Sequence, residues 1–291
     1  MKTLKLSAIL AGIVISLAFA SAQPSKVLTD SVYSNILECS RNYNVYLPKN
    51  YDTQVDRTYP VLYLLHGLYG DNTDWTKRGH VRDVMNHLVA AGEINEMIVI
   101  MPMAGVGKND TKACHGYFNQ EGWAYEDFFF SEFMPQVEKR YRIKADKAHR
   151  AVAGLSMGGG GTVVYAQRHP EMFCAAYAMS GLVSHPGTRV QIDMKDAKVA
   201  AMRASAIANN SQEFVAKADE ATRENLRSVK WFIDCGDDDY LLESNLDFAK
   251  AMREAGIPFE FRVREGAHNW EYWHSALYIC LPFLNRCFSD R

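Results

Sequence analysis

Short apolar runs recur along the chain, separated by stretches with a helical spacing of apolar positions. Residues 60–65 (PVLYLL) form a continuous apolar run that ends at His66-Gly67. Residues 97–103 (MIVIMPM), 151–155, 174–180, 230–235 and 259–263 are further runs of this kind. Runs of this length predict strands covered on both faces, as in a parallel sheet. Residues 42–47 alternate instead, which predicts an early strand added at a sheet edge. Between the runs, helical patterns cover 81–91, 125–141, 158–168, 245–255 and 274–288. Gly92 follows the first, Pro170 lies just past the third, and Gly256 supplies a C-cap for the fourth. Strand and helix alternate from residue 60 onward. That order predicts an α/β domain built on a doubly wound, mostly parallel sheet with helices on both faces.

One stretch breaks the rhythm. Residues 182–228 are polar, alanine-rich and helical in pattern, with no strand. They are too long for a simple connection. They read as a helical insertion, either a cap over the strand ends or extra surface helices. There is no internal repeat and no low-complexity linker.

The N-terminus differs from the rest. Lys2 and Lys5 precede an apolar run over 9–20, and Ala20-Ser21-Ala22 follows before Gln23. A positive start, a short apolar core and small residues at the end predict a secretory signal peptide over 1–22. The run is shorter than the roughly 20 residues of a membrane span, and a retained membrane anchor is the alternative reading. Residues 23–291 then form a single domain, exported to periplasm or medium, with no membrane span after cleavage. The composition is ordinary for a globular protein: 48% hydrophobic and 23% charged. A formal charge of -2 over 291 residues gives no basic excess for nucleic acid. The six cysteines form no CxxC pair, which argues against a zinc or redox centre. Cys174 and Cys235 lie in apolar runs and read as buried small hydrophobes. Cys280 and Cys287, on one helix, would sit about 10 Å apart and could not bridge. A Cys39–Cys114 bridge stays open.

The candidate chemistry lies in residues 149–162 (HRAVAGLSMGGGGT). The strand at 151–155 and the helix from 158 place Ser156 on a sharp strand-to-helix turn. Its hydroxyl would stand at the carboxyl end of the sheet, where open α/β sheets bind ligands. Small residues at 154 and 158 allow the close backbone approach that such a turn requires. A linker would not carry apolar flanks. A phosphate loop would end in GK[ST], which is missing. A serine hydroxyl needs a base, and in this arrangement the acid and then the histidine follow it in the chain. His268, in EGAHNW just after the last strand, is the candidate base. His169, His185 and His274 are less well placed. The acid should follow the strand that ends at Cys235. There Asp237, Asp238 and Asp239 stand together, and spacing alone does not choose among them. Asp234, inside the strand, is the weaker candidate. The oxyanion donors expected for this turn are the amide of Met157 and an amide after Leu65, assigned to Leu68. His66 either acts at the site or simply holds that loop. Removing one oxyanion donor costs about 3 kcal/mol of transition-state stabilisation.

YPVLYLLHGLYGD, RAVAGLSMGGGGT, CGDDDYLLESN and EGAHNWEYW together resemble the esterase-D-like branch of the α/β-hydrolases. That group includes feruloyl and acetylxylan esterases, S-formylglutathione hydrolases and mycolyltransferases. The resemblance covers roughly residues 42–284 and implies an α/β-hydrolase fold. The family's acid occupies a G-x-x-D pattern, which here selects Asp239. The segment 182–228 departs from the family, so its lid and pocket do not carry over. The resemblance implies a serine esterase that needs no metal or organic cofactor. With an export signal, it implies feruloyl or acetyl esters of plant polysaccharide, a small ester or an esterified oligosaccharide. A lipid or siderophore ester hydrolase or an acyltransferase is the alternative. A non-catalytic carbohydrate-binding protein on the same scaffold would be a different class. Tyr69, Trp123 and Trp270 are candidate substrate contacts. Trp123, Trp270, Trp273 and Tyr117 could stack on a sugar or phenolic ring, but core or rim packing is the stronger reading for each taken singly. The loop 105–122 is a candidate substrate rim.

Overall fold

The computed structural model describes residues 23–104, 116–120, 122–184, 204–205 and 207–288. The signal peptide expected over 1–22, Cys114, His185 and most of the loop at 105–122 lie outside the described residues. Two antiparallel strands, β1 (Lys26–Ser34) and β2 (Cys39–Leu47), open the domain. Then come β3 (Val61–Leu65), helices α1 (Asp74–Lys77) and α2 (Val81–Ala90), and β4 (Ile98–Pro102). A short hairpin, β5 (Asn119–Gln120) and β6 (Trp123–Ala124), leads into α3 (Tyr125–Phe128). A π-helical turn (Phe129–Phe133) carries that helix on into α4 (Met134–Arg140). Next are β7 (Arg150–Leu155), α5 (Met157–Arg168), β8 (Ala175–Met179), α6 (Ser211–Lys217) and α7 (Glu220–Arg227). The chain closes with β9 (Lys230–Gly236), α8 (Leu242–Glu254), β10 (Phe259–Arg264) and α9 (Trp270–Cys287).

The eight long strands form one sheet in the order β1-β2-β4-β3-β7-β8-β9-β10. From β4 to β10 all neighbours are parallel. In β3, Val61, Tyr63 and Leu65 face one apolar core, while Leu62 and Leu64 face the other. This two-residue period, with both faces covered, is what the unbroken apolar run encodes. One core takes side chains from α3 to α8, the other from α1, α2 and α9. The doubly wound reading therefore holds.

Two details differ from expectation. The strand near residue 45 is not the edge; β1 lies outside it and carries the exposed Leu28 and Tyr33. At the opposite edge, β10 (FEFRVR) alternates and is half exposed, so it is not covered on both faces. Within 182–228 the described residues contain α6 and α7 and no strand. These helices are tied to the helical layer: Gln167 Nε2 donates to the Ser211 carbonyl, and Val215 and Leu226 enter the core. Among the described residues, no helix is long and apolar enough to cross a membrane.

The sheet order reverses at β3, which has β4 on one side and β7 on the other. Such a switch point opens a crevice at the strands' carboxyl ends. There β7 turns into α5 with almost no clearance. A Cβ added to Gly154 would lie 2.5 Å from the Gly158 oxygen and 2.8 Å from the Leu65 Cβ. A Gly154→Ala substitution should therefore lower unfolding free energy by about 1–3 kcal/mol, read from urea denaturation. An unchanged midpoint would show that the turn has slack.

Candidate active site

Ser156 joins β7 to α5. Its backbone has φ 53° and ψ -116°, outside the regions that L-residues favour. Three hydrogen bonds hold it there: its N–H donates to the Met179 carbonyl (2.9 Å), and its carbonyl accepts from Gly160 (3.0 Å) and Leu182 (2.9 Å). A backbone held this firmly in a sparsely populated conformation is a mark of functional sites.

His268 lies in the loop between β10 and α9. Its Nε2 is 2.9 Å from Ser156 Oγ. Its Nδ1 lies 2.9 and 3.0 Å from the two carboxylate oxygens of Asp239. A carboxylate only accepts, so Nδ1 carries the proton, and in the neutral ring Nε2 is left to accept from the serine hydroxyl. Asp239 is buried, which by itself opposes its charge. The His268 ring, the Ser180 hydroxyl and the Leu241 amide outweigh that burial and hold its carboxyl below the usual range. The structure thus brings Ser156, His268 and Asp239 into one hydrogen-bonded chain. The other two aspartates face elsewhere: Asp237 Oδ1 accepts from the Gly266 amide (2.9 Å), and Asp238 is exposed. Asp234 is fully buried and accepts from the phenols of Tyr177 (2.7 Å) and Tyr272 (2.5 Å).

The loop after β3 comes up against the serine. A Cβ on Gly67 would be 3.5 Å from the Ser156 Cβ, so Leu68 follows directly beside the nucleophile position. Met157 begins α5, where the first backbone amides have no intrahelical acceptor. His66 holds this loop. Its ring is buried, with Nδ1 2.7 Å from the Gly67 carbonyl and Nε2 accepting from the Ala104 amide (3.1 Å). Burial pushes its pKa down to about 4, so the ring is neutral.

The aromatic candidates separate. Trp123 is 2% exposed, stacked on Tyr125 beneath the Arg41 guanidinium. Its burial fits the packing reading rather than a substrate contact. Tyr117 and Trp273 are also buried, Tyr117 with its hydroxyl on the His66 carbonyl. Trp270 is half-buried at the rim, edge-on to Trp75 and Trp273, with Arg78 over its ring. Tyr69 is 70% exposed beside Leu68. Pattern reasoning did not single out Tyr240, whose ring lies 4.4 Å from that of His268 and is 53% exposed. Its position next to Asp239 was the available signal. A cavity of about 530 Å³ lies elsewhere, lined by Val164, Gln167, Arg168 and α6. Those α5 residues stand roughly 12–18 Å along the helix from Ser156, so this cavity is not the catalytic cleft.

The Esterase family model matches residues 34–284. The chain belongs to the esterase family. Within that family it is 33% identical over 239 residues to the endo-1,4-beta-xylanase/feruloyl esterase of Xylanibacter ruminicola. That match covers 80% of this chain and 28% of the relative, so the chain spans under a third of the relative's length. It is 23% identical over 279 residues to the acetyl esterase of Caldicellulosiruptor saccharolyticus, covering 89% and 98% of the two chains. A solved ferulic acid esterase superposes with a TM-score of 0.87 at 53% identity, over 91% of this chain and all of the other. The fold is the α/β-hydrolase fold of these esterases.

The state of His66 has a consequence for stability. With its pKa near 6.5 unfolded and about 4 folded, the unfolded chain binds the extra proton first as pH falls. Its contribution is complete above pH 6.5 and is lost progressively between pH 6.5 and 4, by about 1.4 kcal/mol per pH unit. Unfolding measured across that window should show this slope in the native protein and a shallower one in His66→Gln. Equal slopes would mean that His66 is not the titrating group.

Proposed function

We propose that this esterase is an exported serine hydrolase that removes feruloyl or acetyl groups from plant polysaccharide. One observation carries the reading: Nε2 of His268 lies 2.9 Å from Ser156 Oγ while Nδ1 meets Asp239, at the switch point of the sheet. The names of its relatives, a ferulic acid esterase and an acetyl esterase, support the substrate class. Export is supported by the charged start, apolar core and small residues of 1–22.

In this reading Ser156 Oγ attacks the ester carbonyl as its proton passes to His268 Nε2. The carbonyl oxygen becomes an oxyanion, and the amides of Leu68 and Met157 stabilise it. Asp239 keeps the imidazole in the productive tautomer and stabilises the imidazolium that forms. The tetrahedral intermediate collapses, the C–O bond to the alcohol breaks, and His268 returns its proton to the departing oxygen. Water then adds to the acyl-enzyme with His268 again as base, releasing the acid and restoring the serine hydroxyl. Tyr69 and Trp270 stand at the rim as substrate contacts; Trp123 does not.

The test is hydrolysis of methyl ferulate, acetylated xylan and a medium-chain aryl ester by the native protein and by Ser156→Ala. The native protein should prefer the first or second substrate, and the variant should lose at least 10³-fold in kcat. A variant within tenfold of native would overturn the mechanism. A preference for the medium-chain ester would move the substrate class to lipid-like esters.

A further inference from the structure

Trp273 and Ser180 lie behind the acid–imidazole pair and have no part in the mechanism above. Ser180 follows β8 and is fully buried, with φ 46°. That left-handed conformation is costly for a residue with a Cβ, and glycine would adopt it without strain. The backbone is fixed there because the Ser180 N–H donates to the Asp234 carbonyl at 2.7 Å. The position therefore suits glycine, yet it carries a hydroxyl. That hydroxyl is tied into the site. The Trp273 indole N–H donates to Ser180 Oγ at 3.1 Å. With its oxygen occupied as an acceptor, Ser180 keeps its own proton to give, and its hydroxyl is among the groups that hold the Asp239 carboxyl below the usual range. Trp273 in turn meets the His268 ring edge-on, with centroids 4.9 Å apart and planes at 88°. The same imidazole also meets the exposed Tyr240 ring, with centroids 4.4 Å apart.

We infer that Ser180 and Trp273 form a buried brace of positioning residues that sets both halves of the Asp239–His268 pair. The hydroxyl fixes the carboxylate, the indole edge fixes the imidazole, and the bond between them keeps the two in register. The brace rests on the reading of Ser156, His268 and Asp239 as the catalytic chain. It gives the buried Trp273 a role other than a sugar platform. It also gives a reason for a serine to stand where the backbone favours glycine. Hydrogen bonds in such a network act as a unit.

The test compares Ser180→Gly, Ser180→Ala, Trp273→Phe and the Ser180→Gly/Trp273→Phe double variant in steady-state hydrolysis of methyl ferulate, or of an aryl acetate if that is the better substrate. Thermal melts are recorded in parallel. Ser180→Gly relieves the backbone and Ser180→Ala keeps its strain, but both lack the hydroxyl. The brace predicts that both lose about tenfold in kcat with KM within twofold, whatever their melting temperatures. Trp273→Phe keeps an aromatic edge but loses the N–H and should show a similar loss. The double variant should be no slower than the worse single by more than twofold, because both changes break one unit. Activity that follows melting temperature, a loss confined to KM, or losses that multiply in the double variant would each overturn the brace. If Ser156→Ala stays active, the underlying mechanism fails instead, and the two failures are thus separable.

Discussion

The site depends on a backbone approach that leaves no room for a side chain. Where β7 turns into α5, the Gly158 position lies against the backbone that ends β3. A Cβ there would stand 2.5 Å from the His66 oxygen and 2.6 Å from the Leu65 oxygen. That proximity sets Ser156 and Leu68 side by side. It also places Ser156 in its unusual conformation, because the chain must reverse within one residue to start the helix. Neutral His66 bonds the same loop to Ala104 beyond β4, so the end of β3 is held from both sides.

The other two members of the chain arrive on separate loops, and each loop is pinned independently. Asp239 follows β9, where its buried carboxylate is satisfied by the His268 ring and the Leu241 amide. His268 follows β10, and its loop is tied back by Gly266 to Asp237 and by the Asn269 side chain capping α9. Asp234 anchors the first turn of α9 through Tyr272. The adjacent aspartates thus divide the work, one orienting an imidazole and one holding a loop. A buried charge without these partners would be strongly destabilising, so the polar network and the fold support each other.

Much of this arrangement is legible in the residues. Strands β3, β4, β7, β8 and β9 announce themselves because both faces are covered, and the GLSMG turn carries its own steric signature. The histidine follows from its place after the last strand. Spacing left three aspartates open. The choice depends on how the chain turns after Gly236, a three-dimensional matter that the family pattern supplied and the geometry matches. The edge strands were harder to read. β1 mixes polar and apolar residues because one face meets solvent, and β10 alternates for the same reason. The aromatic residues were least legible. A tryptophan near a site reads the same from sequence whether it faces a sugar or the core, and only burial separates Trp123 and Trp273 from Trp270.

Treatment with an aryl phosphonate that mimics the tetrahedral intermediate, followed by peptide mass mapping, tests the central claim most directly. The account predicts one phosphonyl group per chain, on Ser156, with activity falling in proportion to labelling. Inactivation with the label on another side chain, or full labelling of Ser156 with activity retained, would contradict it.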